Sequence, residues 1–300
     1  MFKNGMKNGT NIGLIGNPSH AKKLVSGHEG TDVNILFFDH ISKRKIFDYI
    51  NLDAVVMTFF KKEDISREMW QLKLFNLIGI KLIRYWVGTD VLNLKNEEEL
   101  KYALKLNKLI HFNLTQSPNL KRELQQKGIK SIYLPLETIK TKNYPITLLP
   151  KKTAVLFYVP KNETLNKFYG TDLVERTAKK NRDLKFYAIE NDNYSPAQKN
   201  IINLGFTDSK KAIRKSSVYL RLTKHDGLPI LLLESLACGR YVIFSRKMPE
   251  CYFGKNLAQI NRALRNIKNK KNPNYAGAKF VREHFEQKEQ FIKLKALIMN

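Results

Sequence analysis

Residues 217–245 read Ser-Val-Tyr-Leu-Arg-Leu-Thr-Lys-His-Asp-Gly-Leu-Pro-Ile-Leu-Leu-Leu-Glu-Ser-Leu-Ala-Cys-Gly-Arg-Tyr-Val-Ile-Phe-Ser. Val218–Leu222 is a short apolar run of the kind a buried strand needs. A loop carrying Lys224, His225, Asp226 and Gly227 follows. The spacing then predicts a helix opening near Leu228, with Pro229 pre-set for the first turn and Gly239 as its C-terminal stop. The next strand starts at Tyr241. The mouth of such a helix exposes backbone N–H groups that suit a phosphate. Glu234 stands about two helical turns beyond Asp226 and could face the same loop. It is flanked by Leu231–Leu233 and Leu236. A carboxylate in so apolar a helix requires a partner, either a ligand or a neighbouring side chain.

The same alternation runs outward in both directions. Strands are expected at Asn11–Ile15, Asn34–Phe38, Ala54–Thr58, Lys81–Trp86, Leu109–Asn113 and Ser131–Leu134. Helices are expected between them at Ile65–Ile78, Glu97–Leu106 and Leu120–Lys127. Pro135, Pro145 and Pro150 then mark a polar pause, read as a linker. The pattern restarts with strands at Thr153–Val159, Leu184–Ile189, Ile201–Leu204, Val218–Leu222 and Tyr241–Phe244. Helices are expected at Gly170–Lys180, Asp208–Lys215, Leu228–Ala237 and Leu257–Ile267. Repeated strand and helix imply an α/β fold with parallel sheets covered on both faces. The expected domains are 1–137 and 153–275, joined by a linker over 138–152, with one or two C-terminal helices over 276–300. Two such βα domains facing each other would make a cleft, a common place for a ligand.

The segment around Asp226 resembles the nucleotide-sugar motif of GT-B glycosyltransferases of the retaining family-4 type. The matching residues are Asp226-Gly227-Leu228-Pro229, Glu234, Ala237-Cys238-Gly239 and Val242-Ile243. The first acid of that pattern is more often Glu, and here it is the shorter Asp. Gly205-Phe206 and Ser216-Ser217-Val218 resemble the family's approach to this loop. In the first half, Ile83 to Val91 resembles a strand ending in His-Gly-x-Asp, with Val87 where histidine is common. Gln116-Ser117-Pro118 and the residues up to Pro135 resemble the family's domain end, so the likeness spans most of 80–245.

The resemblance implies two Rossmann-like domains facing across a cleft, with the C-terminal helix crossing back to the first. The first domain would take the acceptor and the second the nucleotide sugar. Asp226 and Glu234 would be the catalytic pair. Gly16, Lys161, Lys167, Arg221, His225, Gly227, Leu228 and Pro229 would complete the donor site. His20, Gly88, Thr89 and Asp90 would lie on the acceptor side. Several of these residues have a plainer reading as well. Gly13 to His20 also fits an ordinary βα turn, and Arg221 also fits a structural ion pair with Asp226.

Composition narrows the rest. Hydrophobic residues make up 43% of 300, enough for real cores, which excludes a wholly disordered chain. No apolar run is long enough for a membrane span, and Met1 to Thr10 lacks the apolar stretch of a secretory signal. Cys238 and Cys251 alone build neither a disulfide scaffold nor a cysteine-rich zinc site, as expected of a cytosolic protein. No Asp-x-Asp occurs and the six histidines show no metal-ligand spacing, so neither metal nor cofactor is expected.

The net charge is +26, with 23 basic and 14 acidic residues in the first half and 30 and 13 in the second. Such an excess fits an anionic partner, including peripheral contact with an anionic membrane through clusters such as Lys43-Arg44-Lys45. It equally fits a lysine-rich compositional bias. The leading expectation is a metal-independent transferase moving a sugar from a nucleotide diphosphate to a hydroxyl on a glycan or lipid-linked acceptor. The alternatives are a GT-B nucleotide-sugar epimerase and, more remotely, a nucleic-acid-binding protein. For the last, no helix-turn-helix or stacked-aromatic motif is present, so no nucleic-acid partner is expected.

Overall fold

The structure, a computed structural model, describes residues 9–16, 24, 28–38, 49–58 and 62–300, the side chains of 62–68 excepted. His20 and Lys43–Lys45 lie outside the described residues. The chain divides into two compact units, 1–138 with 287–300, and 139–286.

The first unit is built on a six-stranded sheet of β1 (Thr10–Ile15), β2 (Val33–Phe38), β3 (Ala54–Thr58), β4 (Lys81–Trp86), β5 (Phe112–Thr115) and β6 (Ile132–Tyr133). All its pairings are parallel, in the order β2-β1-β3-β4-β5-β6. Its helices are α1 (Lys62–Leu77), α2 (Thr89–Asn93), α3 (Glu97–Asn107) and α4 (Pro118–Gln126). Adjacent residues of one strand feed different cores. Ala54 and Val56 join Ile83 and Tyr85 on one face, while Val55 and Met57 join Leu82, Leu72 and Phe75 on the other. That is why the strand sequences lack polar alternation.

The second unit repeats the plan with β7 (Ala154–Tyr158), β8 (Lys185–Ile189), β9 (Ile201–Asn203), β10 (Val218–Arg221), β11 (Tyr241–Phe244) and β12 (Tyr252–Phe253). The order is β12-β11-β10-β7-β8-β9, again all parallel. Its helices are α5 (Asn166–Tyr169), α6 (Thr171–Lys180), α7 (Ser209–Arg214), α8 (Ile230–Ala237), α9 (Leu257–Lys268) and α10 (Tyr275–His284). The last helix, α11 (Gln287–Met299), groups with the first unit.

Three departures from the sequence reading have local causes. The strand expected at Leu109–Asn113 starts only at Phe112. Leu109 and Ile110 close the end of α3 through bonds to Leu106 and Asn107, and the His111 ring accepts the Leu82 N–H. The edge strand β12 was not foreseen, since two residues make no periodic run. The residues over 138–152 are tied to the second unit, not slack. Arg240, fully buried, donates to the carbonyls of Thr147 and Leu148 and to the Thr147 hydroxyl. Ile139 bridges to Glu286. The segment over 276–300, read as one or two helices, is two. Val281 of α10 packs with Leu232 and Leu236 of α8, whereas Phe291, Leu294 and Ile298 of α11 pack with Ile12, Leu14 and Val56.

Phe291 is 1% exposed in that first core. Phe291→Ala should therefore cost about 3–5 kcal/mol, measured as a lowered denaturation midpoint of the full chain. A midpoint equal to that of the parent would mean that α11 does not complete the core.

Candidate functional site

In an open parallel sheet, ligands gather beyond the carboxyl ends of the strands where the strand order reverses. In the second sheet that point lies between β7 and β10. The loops leaving these two strands carry Lys161 and Lys167 on one side and residues 222–229 on the other.

The 222–229 loop is fixed by many bonds. Thr223 Oγ1 donates to the His225 carbonyl at 2.7 Å, and Ser245 Oγ donates to the Thr223 carbonyl at 2.6 Å. The Lys224 N–H donates to the Phe168 carbonyl at 2.9 Å, and Arg246 Nη1 to the Asp226 carbonyl at 3.3 Å. Gly170 has φ +72, and a Cβ there would lie 2.6 Å from the Leu222 carbonyl oxygen. Only glycine allows that approach, so the turn carrying Lys167 packs directly on this loop.

Arg221 ends β10 and forms an ion pair with Asp226. Its Nε and Nη2 approach Asp226 Oδ2 at 2.8 and 2.7 Å. The rings of Tyr169 and Tyr158 lie 4.8 and 5.4 Å from the guanidinium carbon. Burial alone would lower the Arg221 pKa, but Asp226 and the neighbouring tyrosines hold it above its ordinary value.

Gly227, Leu228 and Pro229 are buried. Helix α8 opens at Ile230, two residues later than the sequence suggested. Pro229 is its N-cap, with φ −68 and ψ 120, and contributes no side-chain cap. The first N–H groups of α8 therefore have no preceding helical carbonyl to bond. Gly239 stops the helix with φ +77, the Arg240 N–H reaching the Ser235 carbonyl and the Gly239 N–H the Leu236 carbonyl.

Glu234 is 9% exposed within α8. Its Oε1 accepts from the Tyr144 hydroxyl at 2.7 Å, with the Ser209 hydroxyl and the Lys210 ammonium alongside. Burial raises its pKa above the ordinary carboxylate value, and these three neighbours only partly offset the shift. Burial and Glu234 together push the Tyr144 hydroxyl upward. The Lys210 ammonium also lies 5.0 Å above the Tyr144 ring.

The two lysines differ. Lys161 is well exposed, 3.6 Å from Glu190 Oε1 and 4.7 Å above the Phe206 ring. Lys167 is exposed on α5 beside the Leu222 loop.

In the first unit, the order reverses between β1 and β3, and Gly16 follows β1 at that point. It has φ +133, and a Cβ there would collide with the Thr58 carbonyl. Gly88 has φ +142 and precedes α2, where Thr89 is exposed. The Asp90 carboxylate is buried and accepts from the N–H groups of Val87, Gly88 and Val91 at 2.8–3.2 Å. Burial nevertheless raises its pKa. Arg84, its cationic neighbour, lies 3.6 Å over the Trp86 ring, and burial lowers its pKa to about 10. Asp90 therefore shapes the turn with its own side chain.

Tyr144, Tyr158, Tyr169 and Arg240 carry no motif and were not singled out from sequence. Among the described residues, no three His, Cys, Asp or Glu side chains gather as a metal would require, and no helix is long and apolar enough to cross a membrane.

The sequence matches no protein-family model and no curated protein. Its fold has close counterparts among solved structures. Sucrose-phosphate synthase from Thermosynechococcus elongatus superposes with a TM-score of 0.71 at 12% identity, over 96% of this chain and 98% of that one. Anabaena HepE in complex with UDP gives 0.71 at 9%, over 95% and 99%. A putative UDP-N-acetylglucosamine 2-epimerase from Listeria monocytogenes gives 0.55 at 11%, over 96% of each. Two α/β units with parallel six-stranded sheets thus make a GT-B fold here.

The raised pKa of Glu234 has a pH consequence. A carboxyl whose folded pKa exceeds its unfolded value stabilises the fold fully below the unfolded pKa. That contribution is lost as pH rises through the folded pKa. Glu234→Gln keeps an acceptor for Tyr144 and removes the titration. Relative to the parent, its melting temperature should rise as pH climbs from below 4.5 towards neutrality. Melting curves that run parallel over that range would contradict the buried, protonation-favouring setting of Glu234.

Proposed function

We propose that the chain is a retaining glycosyltransferase of the family-4 type. It moves a sugar from a nucleotide-diphosphate sugar to a hydroxyl of a glycan or lipid-linked acceptor. One observation carries this reading. Asp226, in the loop leaving β10, and the α8 N-terminus, which no side chain caps, stand at the order reversal of the second sheet of a GT-B fold, and Glu234 lies farther along the same helix. HepE's complex with UDP supports a nucleotide-diphosphate donor.

In this reading the bond from the sugar's anomeric carbon to the donor phosphate oxygen breaks. A bond to the acceptor oxygen forms on the same face, and the acceptor's proton passes to the departing phosphate. The N–H groups of Ile230 and Leu231 and the Lys167 ammonium meet the charge growing on the diphosphate. Lys161, drawn to Glu190, stands farther from that role. Asp226 and Glu234 accept hydrogen bonds from hydroxyl groups of the sugar and ribose. Gly16 and Gly88–Asp90 belong to the acceptor side. The reaction needs no divalent ion, and the protein acts in the cytosol, drawn to anionic membrane by its +26 charge.

The epimerase reading draws on the Listeria neighbour, which matches this chain along its whole length. Products separate the two. A transferase releases free nucleotide, whereas an epimerase yields an isomerised nucleotide sugar.

Nucleotide sugars should raise the melting temperature of the protein by mass action. A panel of UDP-, ADP- and GDP-sugars that leaves it unmoved would sink the donor-site reading. Glu234→Gln should weaken donor binding by roughly 10- to 150-fold, the loss of one charge-assisted hydrogen bond. Asp226→Asn should act in the same direction. Turnover that a chelator abolishes and magnesium or manganese restores would refute metal independence.

A further inference from the structure

We infer that Arg221 is the positioning residue of the donor subsite. It holds one oxygen of Asp226 so that the other stands as a fixed acceptor for a hydroxyl of an uncharged donor sugar. This rests on the donor-site reading above and deepens it.

The geometry of the pair is one-sided. A guanidinium that grips a carboxylate in fork fashion places one nitrogen on each oxygen. Here Nε and Nη2 both fall on Oδ2, at 2.8 and 2.7 Å. Oδ1 accepts no hydrogen bond among the described residues. The two side chains are 12% and 16% exposed, so the pair is screened from bulk water yet open on one side. A carboxylate oxygen so placed calls for a donor.

The surroundings make Asp226 rigid. Tyr158 and Tyr169 flank the guanidinium. Arg246 holds the Asp226 carbonyl, and Ser245 and Phe168 hold the loop ahead of it. A surface ion pair of no consequence would not need such anchoring, because holding long side chains in one geometry costs entropy. A residue that must present one oxygen to within a few tenths of an ångström does need it. The chemistry also selects the ligand. Arg221 neutralises Asp226, so the pair neither attracts an ammonium nor welcomes a second carboxylate. A neutral hydroxyl, donating to Oδ1 beyond the strand ends, fits what is left.

The test uses the full chain and whichever of UDP-, ADP- and GDP-glucose raises its melting temperature most, together with the matching bare nucleotide diphosphate. Calorimetric affinities for both ligands are measured for the parent, Arg221→Lys, Arg221→Met, Asp226→Asn and the double variant R221M/D226N. Arg221→Met and Asp226→Asn should each weaken the nucleotide sugar about tenfold and leave the bare nucleotide unchanged. Their combination should be no worse than either alone, since both act through one oxygen. Arg221→Lys should recover part of the loss.

Arg221→Met strands a half-buried carboxylate, so where that single variant does not fold the neutral double variant decides. If the double variant binds the nucleotide sugar as the parent does, the inference is overturned. Equal weakening of sugar-bearing and bare nucleotide would also overturn it, as the mark of a merely structural pair. If the unmutated chain binds none of the three nucleotide sugars, the donor-site reading itself fails, a result seen before any variant is made.

Discussion

A parallel strand cannot be followed directly by its neighbour. The chain must cross back over the sheet, and so every connection that precedes a helix leaves from the same edge. That constraint organises both units. It sends the Lys161–Gly170 and Leu222–Pro229 connections out of one edge of the second sheet, on either side of the point where strand order reverses. It also leaves each central strand covered on both faces, which demands apolar runs such as Ala-Val-Val-Met of β3 and Ala-Val-Leu-Phe of β7. Chemistry at the edge and greasiness in the middle are thus two results of one topology.

Charged groups set into this apolar frame are each answered differently. Arg221 has a carboxylate partner and two aromatic walls. Arg240 is satisfied by carbonyl oxygens and one hydroxyl, an arrangement that fastens the 139–148 segment. Asp90 takes three backbone N–H groups and shapes a turn. Burial raises the pKa of Glu234, and Tyr144, Ser209 and Lys210 only partly offset the shift.

Much of the frame was legible in the sequence, because runs of apolar residues flanked by polar turns survive translation into strands almost unchanged. Ala54–Thr58, Lys81–Trp86 and Tyr241–Phe244 keep their expected limits. Elements too short to be periodic were not legible, among them β12 and the five-residue helix at Thr89–Asn93. The loop at Asp226 and the apolar helix holding Glu234 could be found from local pattern alone. Their partners could not. Tyr144 is 90 positions from Glu234, in a stretch whose prolines signal only irregular backbone. Tyr158 and Tyr169 look like ordinary strand and helix aromatics until folding brings them to Arg221. Pairings across such separations leave no mark in a single sequence.

The bridge between Ile139 and Glu286 places the entrance and the exit of the second unit side by side, so that this unit is an insert within the first. The order of synthesis gives that arrangement a temporal meaning. Every residue of the insert has left the ribosome once Glu286 emerges, while the first core still lacks Phe291, Leu294 and Ile298. The half made first is therefore the half completed last. Until the final helix arrives, its nascent sheet keeps an uncovered apolar face, which is the interval in which a chaperone or a misfolding partner would meet this chain.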